Sequence, residues 1–346
     1  MPPFNKLRVF AINRITPMSV AVSFEVPDSL KETYSYKAGQ YIALETSIKE
    51  KIVRRSYSIC SESNSGRLEV GIKEVPNGVF SSYVNKSLIV GDTIKVGTPE
   101  GRFVYSPSRS KGPIVGVAAG SGITPVFSIL KSVIASDSKN TFILVYGNKT
   151  VEETMFYDEL KDLEKTHPKQ LKIHWVFSQS NLEGANFGRI DGSIINYVLN
   201  QQVQTPKSFY LCGPEPMIHL ASDLLKEKGF LEEQIHFELF TTRTDKMLVE
   251  SRAEKGTFNL ICDSVSHTLD LVPGKTLLDI ALSAKLDVPY SCQGGVCCSC
   301  IARITEGKAS MEANQILTDT EINEGLILTC QAVAQSKQIS VDYDDV

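Results

Sequence analysis

Four cysteines constrain this chain more than any other feature. Cys292, Cys297 and Cys300 stand in a C-x4-C-x2-C arrangement, and Cys330 follows after 29 intervening residues. This is a spacing with which four thiolates hold a [2Fe–2S] cluster. Four sulfurs must converge on two irons, so the loop has to wrap closely around its cargo. Gly294 and Gly295 allow backbone angles closed to other residues and let the chain approach inorganic sulfide. Loop amides can then donate to sulfur and raise the reduction potential. A zinc site with four cysteine ligands is the competing reading. Zinc ribbons and fingers usually supply two short-spaced pairs, whereas here three ligands are local and one is distant. Of the eight cysteines, Cys298 is a surplus thiol inside the loop and is not expected to be a ligand. Cys60 and Cys262 lie in strand-like runs, where a buried cysteine serves as a small hydrophobe.

The chain has 346 residues, enough for two or three domains. Apolar residues make up 42% and charged residues 22%, the balance of a globular protein with a core in each module. A net charge of −4 argues against a nucleic-acid binder that relies on a broad basic face. No stretch approaches the ~18 apolar residues of a membrane span. The N-terminus lacks the basic-then-apolar build of a signal peptide, so a cytoplasmic location is expected. In that compartment, clustered cysteines favour a metal centre over a disulfide framework. Charge is unevenly spread: residues 257–346 carry twelve acidic and five basic side chains, a net of −7.

The first hundred residues read as β structure. Val20, Val22, Phe24 and Val26 alternate with small or polar residues, and further strands are expected at 41–44, 56–60, 68–73 and 93–96. Such spacing suggests a small antiparallel barrel. From Gly112 strands and helices alternate: strands at 113–118, 141–146, 172–178 and 208–212, helices at 125–133, 151–165 and 216–228. This is the grammar of a parallel sheet with crossover helices. A polar stretch, 241–256, reads as a linker. A hairpin of 257–261 with 268–272 and a helix at 277–285 then lead into the cysteine loop. The expected division is 1–109 as an antiparallel β-barrel, 110–240 as an α/β domain, and 257–346 as an α+β domain of β-grasp type.

Residues 257–346 resemble a plant-type ferredoxin domain, with Tyr290-Ser-Cys and Leu328-Thr-Cys-Gln matching that family around its first and last ligands. Residues 1–240 resemble the ferredoxin-NADP reductase superfamily. The run Arg55, Ser56, Tyr57, Ser58 matches its R-x-Y-S/T strand, in which the arginine reaches the flavin pyrophosphate and the tyrosine and hydroxyl meet the isoalloxazine. Gly78, Val79, Phe80 and Ser81 (followed by Ser82) resemble its second flavin motif and favour FAD over FMN. Gly120, Ser121, Gly122 and Thr124, after an apolar strand and before a helix, resemble its nicotinamide dinucleotide loop, where a helix N-terminus favours phosphate. Thr124 is also expected beside the FAD. Tyr146 and Gly147 follow the next strand where the family has a similar triplet. Cys212, Gly213, Pro214 and Met217 match its C-G-P-x-x-M. Glu238 and Phe240 match the acidic and aromatic positions that end the reductase portion beside the flavin.

The resemblance therefore implies an enzyme using FAD, a [2Fe–2S] cluster and NADPH or NADH. Tyr57, Ser58, Cys212 and Glu238 are expected at the reacting centre, and Cys292, Cys297, Cys300 and Cys330 around the iron. Electrons would run from NAD(P)H through FAD and the cluster to an external acceptor, expected to be an iron-containing oxygenase. The acidic C-terminal module would dock on a basic patch of that acceptor. The nucleotide stays open: Ser178 is followed by Gln179, where many NADPH-using relatives place an arginine, and Arg189 could take its place. Two other readings remain: a general reductase feeding a desaturase or a soluble carrier, and a non-catalytic module that has lost its cofactors. The intact cysteines and R-x-Y-S strand speak against the latter.

Overall fold

Alternating apolar positions in the first hundred residues build six strands: β1 (Asn5–Thr16), β2 (Ser19–Glu25), β3 (Tyr41–Ile48), β4 (Lys51–Ser58), β5 (Leu68–Lys73) and β6 (Thr93–Val96). In this computed structural model, residues 4–106, 112–136, 140–240, 256–290, 293–295, 297–314 and 316–346 are described. The chain divides into two units, Phe4–Phe240 and one within Thr241–Val346. The expected boundary at 109/110 and the expected linker, apart from Gly256, lie outside the described residues.

The six strands form one antiparallel sheet in the order β4-β3-β6-β1-β2-β5. Its two edges meet just beyond β4, where Ile59 bridges Val70 and the Cys60 amide donates to the Glu69 carbonyl at 2.8 Å, closing a barrel. Leu7, Val22, Ile42, Leu44, Val70 and Val96 fill it, and helix α1 (Val79–Lys86) contributes Phe80 and Val84 to the same cluster. The alternation in β2 predicts one dry and one wet face, but Ser19–Phe24 are all buried. The reason is that Ala21, on the second face, packs into the core cluster of the α/β half.

That half contains β7 (Ile114–Ala119), α2 (Ile123–Ala135), β8 (Phe142–Asn148), α3 (Tyr157–Thr166), β9 (Leu171–Phe177), β10 (Asn186–Phe187), α4 (Gly192–Asn200), β11 (Ser208–Gly213), α5 (Glu215–Glu227) and β12 (Ile235–Leu239). The sheet is parallel throughout, in the order β10-β9-β8-β7-β11-β12. Its strand order reverses at β7 and β11, so the crevice at their C-terminal ends is the natural ligand position. The helix expected over 151–165 starts only at Tyr157. Ahead of it the Thr154 hydroxyl donates to the Thr150 carbonyl (2.7 Å), the Thr150 hydroxyl accepts from the Glu153 amide (3.4 Å), and Phe156 takes a left-handed φ of 61°. Such local side-chain bonds compete with helix formation.

The C-terminal unit has β13 (Thr257–Cys262), β14 (Val265–Asp270), α6 (Leu277–Ser283), β15 (Ile301–Glu306), β16 (Ala309–Met311), α7 (Asp319–Asn323), β17 (Leu326–Leu328), β18 (Ala332–Ala334) and β19 (Gln338–Asp342). Five strands make a mixed sheet, β14-β13-β19-β15-β17, and β16 pairs with β18. The first hairpin turns earlier than expected and without glycine: Asp263 and Ser264 adopt φ of 52° and 61°, and both their amides donate to the Asp344 carboxylate at 2.9 and 2.7 Å. Thr276 and Asp279 cap α6 reciprocally.

One buried ion pair braces the barrel. Arg54 donates twice to Oε2 of Glu45, at 2.9 and 2.7 Å, while Lys95 donates to Oε1 at 2.9 Å. The guanidinium also lies 4.5 Å above the Phe4 ring. Arg54→Met should lower stability by about 3 kcal/mol, because it strips the main partner from a buried carboxylate. Urea unfolding of the variant beside Glu45→Met/Arg54→Met checks this: the double variant should lose less than the single one.

Candidate functional site

Strand β4 pairs with β3, placing Ser56, Tyr57 and Ser58 opposite Ala43, Ile42 and Tyr41. Arg55 is exposed, Ser56 and Tyr57 are half-buried and Ser58 is buried. The Tyr57 ring lies 5.7 Å from that of Phe80 on α1. Burial pushes the Tyr57 hydroxyl above its ordinary range, against the opposing charge of Arg55. Gly78 is the N-cap of α1, and Val79 behind it is exposed. The Ser81 hydroxyl is turned back onto this cap: it accepts from the Val75 amide at 3.3 Å and lies 3.5 Å from the Gly78 carbonyl, to which it donates. It thus shapes the turn from which the first amides of α1 project.

Three of the residues expected at the reacting centre meet across the two sheets of this unit. The Ser58 hydroxyl donates to Oε2 of Glu238 at 3.2 Å. Glu238 on β12 is paired in register with Cys212 on β11. Burial raises the Glu238 carboxyl to about 8, with the Ser58 hydrogen bond opposing, so it is mostly protonated at neutral pH. Burial, aided by the charge of Glu238, also lifts the Cys212 thiol well above its usual range. Phe240, two residues beyond Glu238, is exposed.

The glycine loop after β7 is a single turn, Gly120–Gly122, that runs directly into α2. Its two glycines do different things. Gly120 has φ +56° and nothing within 4 Å of where a Cβ would stand, so its surface is open. Gly122 is pressed onto β11: a Cβ there would sit 2.2 Å from the Cys212 carbonyl oxygen. The Thr124 hydroxyl donates to the Ser121 carbonyl at 3.1 Å, and its methyl would meet a Cβ on Gly71 of β5 at 2.7 Å. Tyr146 is fully buried, and its single hydroxyl proton is shared between the carbonyls of Gly120 (3.0 Å) and Met155 (3.3 Å), so it lies beneath the loop. Gly147 packs against Ile190, Gly213 against Ala119 and the tip of buried Met217, and Pro214 is the exposed N-cap of α5. Arg189 is exposed. A cavity of about 780 Å³ lined by Arg14, Glu69, Lys131 and Tyr157 includes none of the residues expected to hold flavin or nucleotide.

In the C-terminal unit Cys297, Cys300 and Cys330 are buried; Cys292 lies outside the described residues. The three thiols are electrostatic neighbours. A hydrogen bond with the Cys330 thiol, then burial, then the charges of Cys330 and Cys297, hold the Cys300 thiol far above its usual range. Sulfurs crowded in this way can all ionise only around cations, and soft thiolates suit iron–sulfur clusters and zinc. The donor set therefore fits the cluster. The two cysteine-bearing segments are tied together: the Tyr343 hydroxyl donates to the Thr329 hydroxyl (2.7 Å), and the Thr329 hydroxyl and amide both donate to the Cys300 carbonyl at 3.0 Å. Cys298 is half-buried, and Cys262 lies in the core, with the neighbouring Asp344 carboxylate engaged in the hairpin turn.

Sequence reasoning does not single out Gly71 or Tyr343, and it meets Thr329 only within the Leu328-Thr-Cys-Gln match. Gly71, inside a strand, carries the one available signal, since a glycine there often marks close approach by another segment.

Comparison with known proteins is consistent along the whole chain. Residues 6–105 match the oxidoreductase FAD-binding domain, 117–223 the oxidoreductase NAD-binding domain and 260–335 the 2Fe-2S iron-sulfur cluster binding domain. One component of the 1,2-phenylacetyl-CoA epoxidase of Escherichia coli K12 is 33% identical over 99% of both chains. The ferredoxin reductase component of 3-ketosteroid-9-alpha-monooxygenase from Rhodococcus rhodochrous is 30% identical over 97% of this chain and 96% of its own. Among solved structures, phthalate dioxygenase reductase aligns over 98% of each chain with a TM-score of 0.64 and 23% identity. A type IV self-sufficient cytochrome P450 monooxygenase aligns over 98% of this chain and 41% of its own, with a TM-score of 0.72 and 20% identity. These two structures share the fold. With FAD-binding, NAD-binding and 2Fe-2S domains following one another and a relative matched end to end at one-third identity, the chain belongs to the oxidoreductase family that includes this phenylacetyl-CoA epoxidase component.

Proposed function

We propose that this chain is the reductase component of a multicomponent oxygenase. It would take hydride from NADPH or NADH and deliver electrons singly to an iron-containing oxygenase, such as one acting on phenylacetyl-CoA. The observation that carries this reading is the union of the three cofactor domains in one polypeptide, matched along its length by the epoxidase component. The reading puts the protein in the cytoplasm, where nicotinamide nucleotides are at hand and thiols stay reduced. No helix among the described residues is long and apolar enough to cross a membrane. The net of −7 over residues 257–346 supports docking of that module on a basic face of the acceptor.

Bound FAD and the [2Fe–2S] cluster supply the conversion of a hydride into single electrons. The chain supplies position and charge. Arg55 and the amides at the start of α1 offer a cation and donors to a pyrophosphate. Tyr57 and Phe240 give flat apolar surface, and Ser58 a hydroxyl, to the flavin ring. The proton that burial keeps on Glu238, and the raised Cys212 thiol, would keep both side chains neutral where hydride transfer is proposed. Open Gly120, carried on the Tyr146 hydroxyl, and the start of α2 receive the nucleotide phosphates. Pro214 and Met217 shape the wall next to Cys212. Cys292, Cys297, Cys300 and Cys330 would hold the cluster.

A visible spectrum of the anaerobically purified protein, titrated separately with NADPH and NADH, tests the reading. Flavin bands over a broad iron–sulfur absorbance, bleached in stages by one of the nucleotides, are expected. A colourless or flavin-only protein after reconstitution with iron and sulfide would sink it. Cys330→Ala should abolish electron delivery beyond the flavin, to an oxygenase or to cytochrome c, while NAD(P)H-to-ferricyanide activity stays within about twofold of wild type. Glu238 makes a further prediction. Its folded-state value of about 8 lies above the 4.5 of the free side chain, so folding takes up a proton between these values. Its contribution to stability is therefore full below about pH 4.5 and is lost as pH rises through about 8. Urea midpoints measured from pH 5 to 9 should fall in the wild type and stay flatter in Glu238→Gln.

A further inference from the structure

We propose that Gln331 is a positioning residue of the iron–sulfur centre, whose side-chain amide donates to the Cys330 sulfur and clamps the ligand loop at the same time. The proposal rests on the reading of Cys292, Cys297, Cys300 and Cys330 as the cluster ligands, and it concerns a residue outside that set.

The geometry is specific. Nε2 of Gln331 lies 3.5 Å from Sγ of Cys330, 3.0 Å from the Cys330 carbonyl oxygen and 3.1 Å from the carbonyl oxygen of Gln293. A primary amide has two protons. One is directed at Gln293, in the loop between the first two ligands, and the other is shared between the oxygen and sulfur of Cys330. One side chain thus spans the distant ligand and the local loop, a join that spacing along the sequence does not reveal.

The backbone that carries this side chain is held in place. The main-chain N–H of Gln331 donates to the Leu328 carbonyl at 2.9 Å, and its main-chain carbonyl accepts from the Glu312 amide at 3.0 Å. Its Cγ would lie 3.1 Å from a Cβ on Gly295, a residue with φ +75°. The second glycine of the loop therefore does two things. It takes a conformation that L side chains rarely adopt, and it leaves the room through which Gln331 passes.

Donors to a ligand sulfur matter because reduction places another electron on a cluster whose charge spreads over its sulfurs. A hydrogen bond to sulfur strengthens as that charge grows, so it favours the reduced form and raises the potential. A carboxylate at this position would only accept, and would add a negative charge. A thioether would fill the volume and donate nothing. Gln331 thus sets the driving force for electrons entering from the flavin and leaving for the acceptor.

The test is a mediated redox titration of the holoprotein, following the EPR signal of the reduced cluster in wild type, Gln331→Met and Gln331→Glu. Loss of the donor should move the reduced-to-oxidised ratio at a fixed potential by roughly tenfold toward oxidised. That equals a midpoint about 59 mV more negative for one electron, with Gln331→Glu shifted further. NAD(P)H-to-ferricyanide turnover should be unchanged in both. Midpoints equal to wild type, with the cluster signal intact, would overturn the proposal. Should neither variant retain a cluster, pulsed EPR of wild-type protein carrying 15N in its glutamine side chains decides. A hyperfine coupling from side-chain nitrogen is expected, and its absence overturns the proposal. A reconstituted wild-type protein with no reduced-cluster signal would overturn the ligand assignment instead, and this inference with it.

Discussion

A single hydrogen bond, from Ser58 to Glu238 at 3.2 Å, joins the end of a barrel strand to the edge of a parallel sheet. Other contacts join the same two halves. Thr124 at the start of α2 fills the space left by Gly71, the Ser128 hydroxyl donates to the Ser61 carbonyl at 2.6 Å, and the rings of Phe103 and Tyr210 meet edge to face at 5.4 Å. Glu238 itself is buried, and that burial holds its proton on a carboxyl group that would ionise freely if wetted. The proposed hydride transfer calls for a neutral acid and a neutral thiol side by side, and burial delivers both without a dedicated charge partner. The two halves of the reductase unit therefore act as one object, with the candidate site made from a barrel strand and the last two strands of the parallel sheet's far edge.

The cysteine loop solves a different problem. Buried sulfurs repel one another as they ionise, so the apoprotein needs structure that does not depend on the metal. The Tyr343–Thr329–Cys300 chain of hydrogen bonds supplies part of it, and the Gln331 clamp another part. Both act through the segment around Cys330, which is the proposed ligand farthest away in sequence. Loop closure is least favourable for that ligand, and the polar contacts are concentrated there.

Much of this is legible in the residues themselves. Spacing alone marks the cysteine loop, and the change from period-two alternation to alternating strand and helix separates barrel from parallel sheet. The glycine loop can be placed because a strand precedes it and a helix follows. What escapes are features that depend on contacts distant in sequence. Burial of both faces of β2 is caused by a domain more than ninety residues away. Tyr146 reads as a nucleotide contact in its motif, while its hydroxyl is engaged under Gly120. The late start of α3 follows from threonine side chains that compete for backbone groups, a local effect that apolar periodicity does not register. The ionisation of Glu238 cannot be read from the residue type at all, since it is a property of the surroundings that bury it.

The contact at Gly122 has a practical meaning for anyone wishing to redesign this enzyme. With the Cys212 carbonyl 2.2 Å from where a side chain would begin, the glycine loop and the strand bearing the thiol form one mechanical part. Any residue larger than glycine would move both, so if the proposed roles hold, a loss of nucleotide affinity and a misplaced reacting centre would arrive together. On the proposed reading, a change of nucleotide preference would be sought instead around Gln179 and Arg189, which lie outside the Ser58–Glu238–Cys212 geometry.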